Sequence, residues 1–304
     1  VFFLIRPFIV QAFFIPSASM HPTLLEQDHI LVNKFIYRFW EPKQGDVIVF
    51  KSPPEANPDG IERDFIKRVV AVPGDEVRIT PGSVMVGNEE YNHQAMRHIL
   101  QGGSKAEIRQ RKVYEDGEVV PNWEVGLLAM QRSGSRVQVI TDELGVDKVI
   151  VSLGGQVKEY TEYDLPDLLE SRHRVKLRDN AIYRDNKKVD NKEFAKLAGK
   201  PGAKVKVIPG VVYVNGKPLD EPYAAEDPDV PYPLSTTNAK WLITKKAGKE
   251  NVKLVKIPKG KLLVMGDNRN DSNDARFWGL LDRERVLGKA MVIFWPVNRI
   301  RIVR

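Results

Sequence analysis

Residues 15–25 read Ile15-Pro16-Ser17-Ala18-Ser19-Met20-His21-Pro22-Thr23-Leu24-Leu25: two serines in a small-residue run, with a proline on each side. An apolar stretch precedes them and an alternating stretch follows. Ser and Pro are common turn residues, so alone the segment reads as well as a turn between strands as it does as the bearer of a reactive hydroxyl. The rest of the chain decides.

Downstream, residues 28–39 (DHILVNKFIYRF) alternate apolar and polar side chains, the mark of a strand. Residues 45–50 (GDVIVF) and 64–72 (DFIKRVVAV) are short β-branched runs, expected as buried strands. The second carries Lys67 and Arg68. Three later stretches resemble one another, starting at Val77 (VRITPGSVMVGNEEY), Val175 (VKLRDNAIYRDNKKVD) and Val205 (VKVIPGVVYVNGKPLDEPY). Each pairs an alternating run with a Gly- or Asn-bearing turn, and Asn215-Gly216 is a strong hairpin signal. They suggest a hairpin repeat near 77–91, 175–190 and 205–223. Two short helices are expected between them. One spans 90–101 with Tyr91, Ala95, His98 and Ile99 on one face and Gly102-Gly103 as its stop; the other spans 190–197. Residues 136–151 read as strand. Residues 262–265 and 286–295 (VLGKAMVIFW) read as core strands flanking GDNRNDSNDARFWG at 266–279.

The chain has 304 residues, enough for two domains, and a net charge of +7. That charge suits an anionic lipid surface, while no basic stripe interleaved with aromatics singles out nucleic acid. There is no cysteine, which removes thiol catalysis, Cys–zinc sites and disulfides. The five histidines (His21, His29, His93, His98, His173) show no metal-ligand spacing, so neither metal nor cofactor is expected. Residues 1–15 (VFFLIRPFIVQAFFI) are too short to span a bilayer, which takes roughly 20 apolar residues. They read either as a buried first strand or as the stump of a membrane anchor leading into a strand from Phe8.

A serine nucleophile needs a base. No histidine here looks like a triad member: His21 is too near Ser19 for in-line geometry, and the others lack a supporting motif. Lysine can replace histidine. Lys67 sits among Phe65, Ile66, Val69 and Val70, where burial would disfavour its charged form. Moving a free lysine from ~10.4 to the ~7–8 of a useful base takes about 3 units, or roughly 4 kcal/mol. The bland alternative is a surface lysine on an edge strand.

Four blocks in this order, PSASMHPTL, GDVIVF, FIKRVVAVPGD and GDNRNDSNDARFWG, resemble those of bacterial type I signal peptidases, the serine–lysine membrane proteases. VNGKPLDEPY also looks like that family. The resemblance implies that Ser19 is the nucleophile and Lys67 the general base. It implies that the Ser17 hydroxyl and the Ser19 N–H form the oxyanion hole, that Ser272 orients the lysine, and that Asp274 and Arg276 form a supporting ion pair. Ile15, Met20 and Ile66 would line shallow pockets for small side chains, hence cleavage after Ala-X-Ala. Residues 15–25 then become the strand that carries the nucleophile. His21 and Phe65 depart from the family's frequent Met and Tyr.

The expectation is therefore a mostly β protein. A catalytic core like that of signal peptidases and SOS-repressor proteases (8–82 and 262–304) would follow an anchor remnant (1–7) and hold an inserted β-rich domain with a few short helices (83–261). Its function would be removal of signal peptides from exported preproteins at the outer face of the cytoplasmic membrane. Phe13, Phe14, Phe294 and Trp295 would meet lipid, where Trp favours the interface. The rivals are a self-cleaving SOS-type repressor and a non-catalytic hairpin-repeat binding module. The first should carry a DNA-binding domain and a cleavable Ala-Gly linker, which are absent from this sequence.

Overall fold

The computed structural model describes residues 10–57, 59–101, 106–115, 118–122, 125, 129, 136–141, 146–153, 155–161, 165–169, 175–247 and 250–304. The expected anchor remnant at 1–7, the strand start at Phe8, the Gly102-Gly103 stop and His173 lie outside them. The chain folds as two units. One is built from residues up to Gly82 and from Pro209 onward; the other is Ser83–Ile208.

The first unit opens with β1 (Val10–Phe14), β2 (His29–Asn33), β3 (Val47–Lys51), β4 (Asp64–Ala71) and β5 (Glu76–Thr80). The second unit holds β6 (Ser83–Val86), β7 (Glu89–Tyr91), α1 (His93–Gln101), β8 (Ala106–Arg109), β9 (Lys112–Glu115), β10 (Glu118–Val120), β11 (Arg136–Thr141), β12 (Asp147–Leu153) and β13 (Gln156–Thr161). It continues with α2 (Leu165–Leu169), β14 (Val175–Arg178), β15 (Ala181–Arg184), β16 (Lys187–Lys188), α3 (Asn191–Leu197) and β17 (Val205–Ile208). The first unit resumes with β18 (Val211–Val214), β19 (Lys217–Pro218), β20 (Leu242–Ala247), β21 (Glu250–Lys256), β22 (Lys261–Met265), α4 (Ala275–Trp278), β23 (Leu281–Asp282), β24 (Val286–Trp295) and β25 (Arg301–Ile302). The fold is mostly β, as its alternating sequence predicts.

In the first unit one sheet runs β1-β2-β24-β3-β4-β22-β23, with β25 on β24. A second runs β19-β18-β5-β21-β20. β3 and β4 are buried without alternation because both faces of their sheet are covered. Ile48, Phe50, Val69 and Leu263 pack in one apolar cluster, and Ile15, Met20, Leu24, Val47, Val49 and Ile66 in another. β4 lies between β3 and β22 and Lys67 is buried, which removes the edge-strand alternative.

Among the described residues the second unit has four three-stranded sheets: β10-β9-β8, β11-β12-β13, β14-β15-β16 and β17-β6-β7. The three similar stretches share their second hairpin, in β6–β7, β15–β16 and β18–β19. Their first strands differ: β14 pairs with β15, but β5 pairs with β18 and β17 with β6.

Three local expectations change. The strand expected over 28–39 ends at Asn33, whose Oδ1 accepts the Phe35 and Ile36 N–H groups (2.9 and 3.0 Å) and turns the chain into a 3₁₀ helix at Ile36–Arg38. Residues 136–151 form two strands, β11 and the start of β12. α1 starts at His93 and buries His93, Met96 and Leu100 while His98 is exposed, so the expected face was rotated. α3 falls where expected, with the Asp190 carboxylate accepting the Lys192 and Glu193 N–H groups as its N-cap.

Candidate active site

Ser19 lies in a 3₁₀ turn, Ala18–Met20, and not on a strand. The physical reason is the pair of apolar anchors around it. Ile15, Met20 and Leu24 are essentially fully buried in the cluster with Ile30, Val32 and Ile66. Bonds from His21 N–H to Ala18 O and from Leu24 N–H to Met20 O, both 2.9 Å, hold the turn between them. A strand would alternate these side chains; the turn puts Met20 in the core and leaves the Ser19 hydroxyl facing β4.

From β4, Lys67 reaches that hydroxyl. Its Nζ lies 2.8 Å from Ser19 Oγ and donates to Ile66 O at 2.9 Å. The Phe65 ring centroid is 5.6 Å away. Burial pushes the Lys67 amine down to about 8; Asp274 and Asp267 oppose the shift, and Arg276 assists it. Ser17 Oγ stands 3.4 Å from Ser19 Oγ. His21 is turned to Glu26, at 2.5 Å, and takes no part in the Ser19–Lys67 pair.

Below the turn lies the end of β22 and the loop after it. A Cβ on Gly266 would come within 2.3 Å of both Ser19 O and Ser272 Oγ, so the turn can rest there only on glycine. Ser272 is buried beside it, and its hydroxyl has no well-formed hydrogen bond; its contribution is to the field around Asp274. The structure thus brings Ser272 next to the Ser19 turn without a bond to Lys67. Asp274 and Arg276 are paired and buried, with Nε to Oδ1 at 2.8 Å and Nη2 to Oδ2 at 2.9 Å. Burial alone would raise the Asp274 carboxyl; the Arg276 charge and hydrogen bonds and the Gly266 N–H outweigh it and hold it below the usual range. Ile15, Met20 and Ile66 share one apolar cluster, with Met20 wholly covered.

Several residues at this site were not singled out from the sequence. Arg68 and Asp267 form a buried bidentate pair at 2.8 and 2.6 Å, and Arg68 stacks on Tyr223 at 3.8 Å. Thr23 donates to Asp267 at 2.5 Å, which ties the loop to the segment after the serine turn. Asn268 holds that turn directly: its backbone N–H donates to Ser19 O and its Nδ2 to Ala18 O, both at 3.1 Å. The available signal was charge density: 266–279 alternates Asp, Asn and Arg among turn formers, and such groups are buried only when paired.

Comparison with known proteins points to one family. The sequence model of the family described as "Signal peptidase, peptidase S26" matches residues 1–137 and 187–295. A signal peptidase I of Aquifex aeolicus is 28% identical over 301 residues, 96% of this chain and 78% of that protein. A probable signal peptidase I-2 of Synechocystis is 23% identical over 98% of this chain and 69% of that protein. A signal peptidase IB of Staphylococcus aureus is 37% identical over 36% of this chain and 58% of that protein. A crystal structure of a signal peptidase I from Enterococcus faecalis covers 82% of this chain and 97% of its own at 13% identity, with a TM-score of 0.22, too low to carry an argument.

Proposed function

The chain belongs to the signal peptidase family, peptidase S26, and from that premise we propose that Ser19 and Lys67 are the dyad with which it works. It is a serine endopeptidase that removes signal peptides. The observation that carries the dyad is the 2.8 Å approach of a buried amine, lowered to about 8, to the Ser19 hydroxyl.

The chemistry follows from that contact. Neutral Lys67 takes the hydroxyl proton as Ser19 Oγ bonds to the scissile carbonyl carbon. The oxyanion of the tetrahedral intermediate is met by the Ser17 hydroxyl and the Ser19 N–H, donors each worth around 3 kcal/mol. Lys67 then gives its proton to the departing amine, which leaves an acyl-enzyme on Ser19. Water, deprotonated by Lys67, attacks the ester, and Lys67 returns that proton to Ser19 Oγ as the bond to the acyl carbon breaks and the signal peptide's new carboxyl end is released. Asp274 and Arg276 set the field at Lys67, Ser19 Oγ and Ile66 O hold its amine, and Ser272 packs beneath the turn without a bond to it. Ile66, with Ile15 beside it in one apolar cluster, gives the site an apolar wall suited to small side chains, hence cleavage after Ala-X-Ala; Met20, wholly covered, packs beneath it.

The site of action is the outer face of the cytoplasmic membrane, with lipid as a partner. Phe14, Phe294 and Trp295 are exposed at one end of the main sheet, whereas Phe13 packs against the core. Among the described residues no helix is long and apolar enough to cross a membrane.

Ser19→Ala and Lys67→Ala should each fold and each fail to process a preprotein with an Ala-X-Ala site. Processing by either folded variant would sink the dyad. Replacing the last Ala of the site by a bulky residue should abolish cleavage by the wild type, and continued cleavage would remove the small-pocket reading.

A further inference from the structure

A second apolar surface lies at the opposite end of β2. Phe35, Phe39 and Trp40 are 38%, 63% and 62% exposed. Their rings form one run, Phe35 to Phe39 at 4.9 Å and Phe39 to Trp40 at 5.8 Å between centroids. The exposure is not slack. Asn33 fixes the start of the turn, Tyr37 is buried and its hydroxyl donates to Asp46 at 2.9 Å, and Ile36 packs against the core. Arg283 pins the far side through Tyr37 O and Glu41, both at 2.6 Å. A braced 3₁₀ turn therefore points three aromatic rings into solvent.

Charge and position name the occupant. Lys34, Arg38 and Lys43 belong to the same stretch as the rings, with Arg38 and Lys43 exposed. Arg38 sits over the Phe35 ring at 5.6 Å, and Lys34 leans on Gln11 of β1 at 3.0 Å. The one carboxylate in this stretch, Glu41, is taken by Arg283. Aromatic rings among basic side chains match the water–bilayer boundary, where rings sit at headgroup depth and Lys and Arg meet anionic headgroups. β1 is the edge strand, and Val10 pairs with Asn33 while Phe14 pairs with His29. The first exposed aromatic group (Phe14, Phe294, Trp295) thus lies at one end of β1 and the second at the other, about 17 Å apart for five residues.

We propose that Phe35, Phe39 and Trp40, with Lys34, Arg38 and Lys43, form a second membrane-docking surface for anionic phospholipid, so that the protein rests on the bilayer along its β1 edge on two aromatic feet. The proposal depends on the reading that the enzyme works at a membrane, but not on the dyad. Two feet fix the tilt of the unit over the bilayer, which one foot would leave free.

The test is quenching of tryptophan emission by brominated phospholipid, using the full chain and its Trp40→Phe variant on phosphatidylcholine vesicles with and without phosphatidylglycerol. The difference spectrum reports Trp40, and quenching of it is the expected result. Vesicle-bound protein with an unquenched difference spectrum would overturn the second foot; wild type that binds no vesicle would overturn the membrane reading with it. Changing Lys34, Arg38 and Lys43 to Gln should weaken partitioning to the phosphatidylglycerol vesicles by about fivefold for each charge, the effect of ~1 kcal/mol per basic residue near an anionic leaflet. Unchanged partitioning would also overturn the proposal. So would vesicle-free self-association that Phe39→Ser/Trp40→Ser abolishes, since the surface would then serve a second copy. Cleavage of a short soluble peptide should be the same in all these variants.

Discussion

Lys67 is a charged residue held where charge is costly. Its amine is lowered to about 8 by burial, so at neutral pH the folded protein carries a desolvated ammonium, and above pH 8 it carries the free base. Two outcomes follow. The rate constant kcat/KM should rise about tenfold per pH unit below 8 and level off above it; a flat profile between pH 6 and 9 would count against a lysine base. Stability should move the same way. Between about 8 and the unfolded value near 10.5 the unfolded chain binds the proton that the folded one has released, so stability rises with pH across that window. Lys67→Met should therefore be inactive yet more stable than wild type at pH 7, by up to about 3 kcal/mol, and lose most of that advantage by pH 10.5. Denaturant melts of both proteins at the two pH values measure it. Ser17→Ala tests the proposed oxyanion donor: kcat should fall by about 10²–10³ with KM little changed, and a change confined to KM would argue for a binding role instead.

At the scale of elements, the site is a 3₁₀ turn seated on the end of a strand. Gly266 marks the contact, and its lack of a side chain is what allows Ser19 O to approach. In Gly266→Ala the added methyl must push the turn away. The expected cost is about 1–3 kcal/mol of stability and a loss in kcat of at least ~10², the usual effect of misplacing a reacting group by about 1 Å. Wild-type kcat in that variant would mean the turn and β22 are not rigidly coupled. β4 was legible in the sequence because apolar, mostly β-branched residues flank Lys67 and Arg68 in a short run bounded by turn formers. The turn was not, because Pro, Ser and Ala fit strand ends and turns alike; the burial of Met20 and Leu24 decides it. The end of β2 at Asn33 was hidden for a similar reason, since alternation continues past a turn that only a side-chain bond creates.

For the whole molecule, the path of the chain offers a direct test of independence. Thr80 and Val211 are partners across β5 and β18, on either side of the Ser83–Ile208 unit. Joining Gly82 directly to Pro209 would leave a hairpin closed by Pro81, Gly82, Pro209 and Gly210, a loop length that hairpins accept. We expect this shortened chain to fold and to cleave a soluble peptide. Failure to fold, seen as loss of a cooperative thermal transition, would show that the first unit depends on the second.

The sequence by itself determined the class of fold and, through the resemblance of its four blocks to one family, supplied the proposed reacting groups. Ser19, Lys67, Ser17 and the 266–279 loop stand out because their residue types and order carry chemistry, and apolar alternation specifies strands locally. Tertiary structure decided what depends on distant partners. It chose which strands pair, turned the serine segment into a 3₁₀ turn, and joined Arg68, Asp267, Thr23 and Asn268 into the support beneath it. Burying charge demands a partner, and residues far apart in sequence, such as Arg68 and Asp267, can be recognised as partners only once folding has put them 2.6 Å apart.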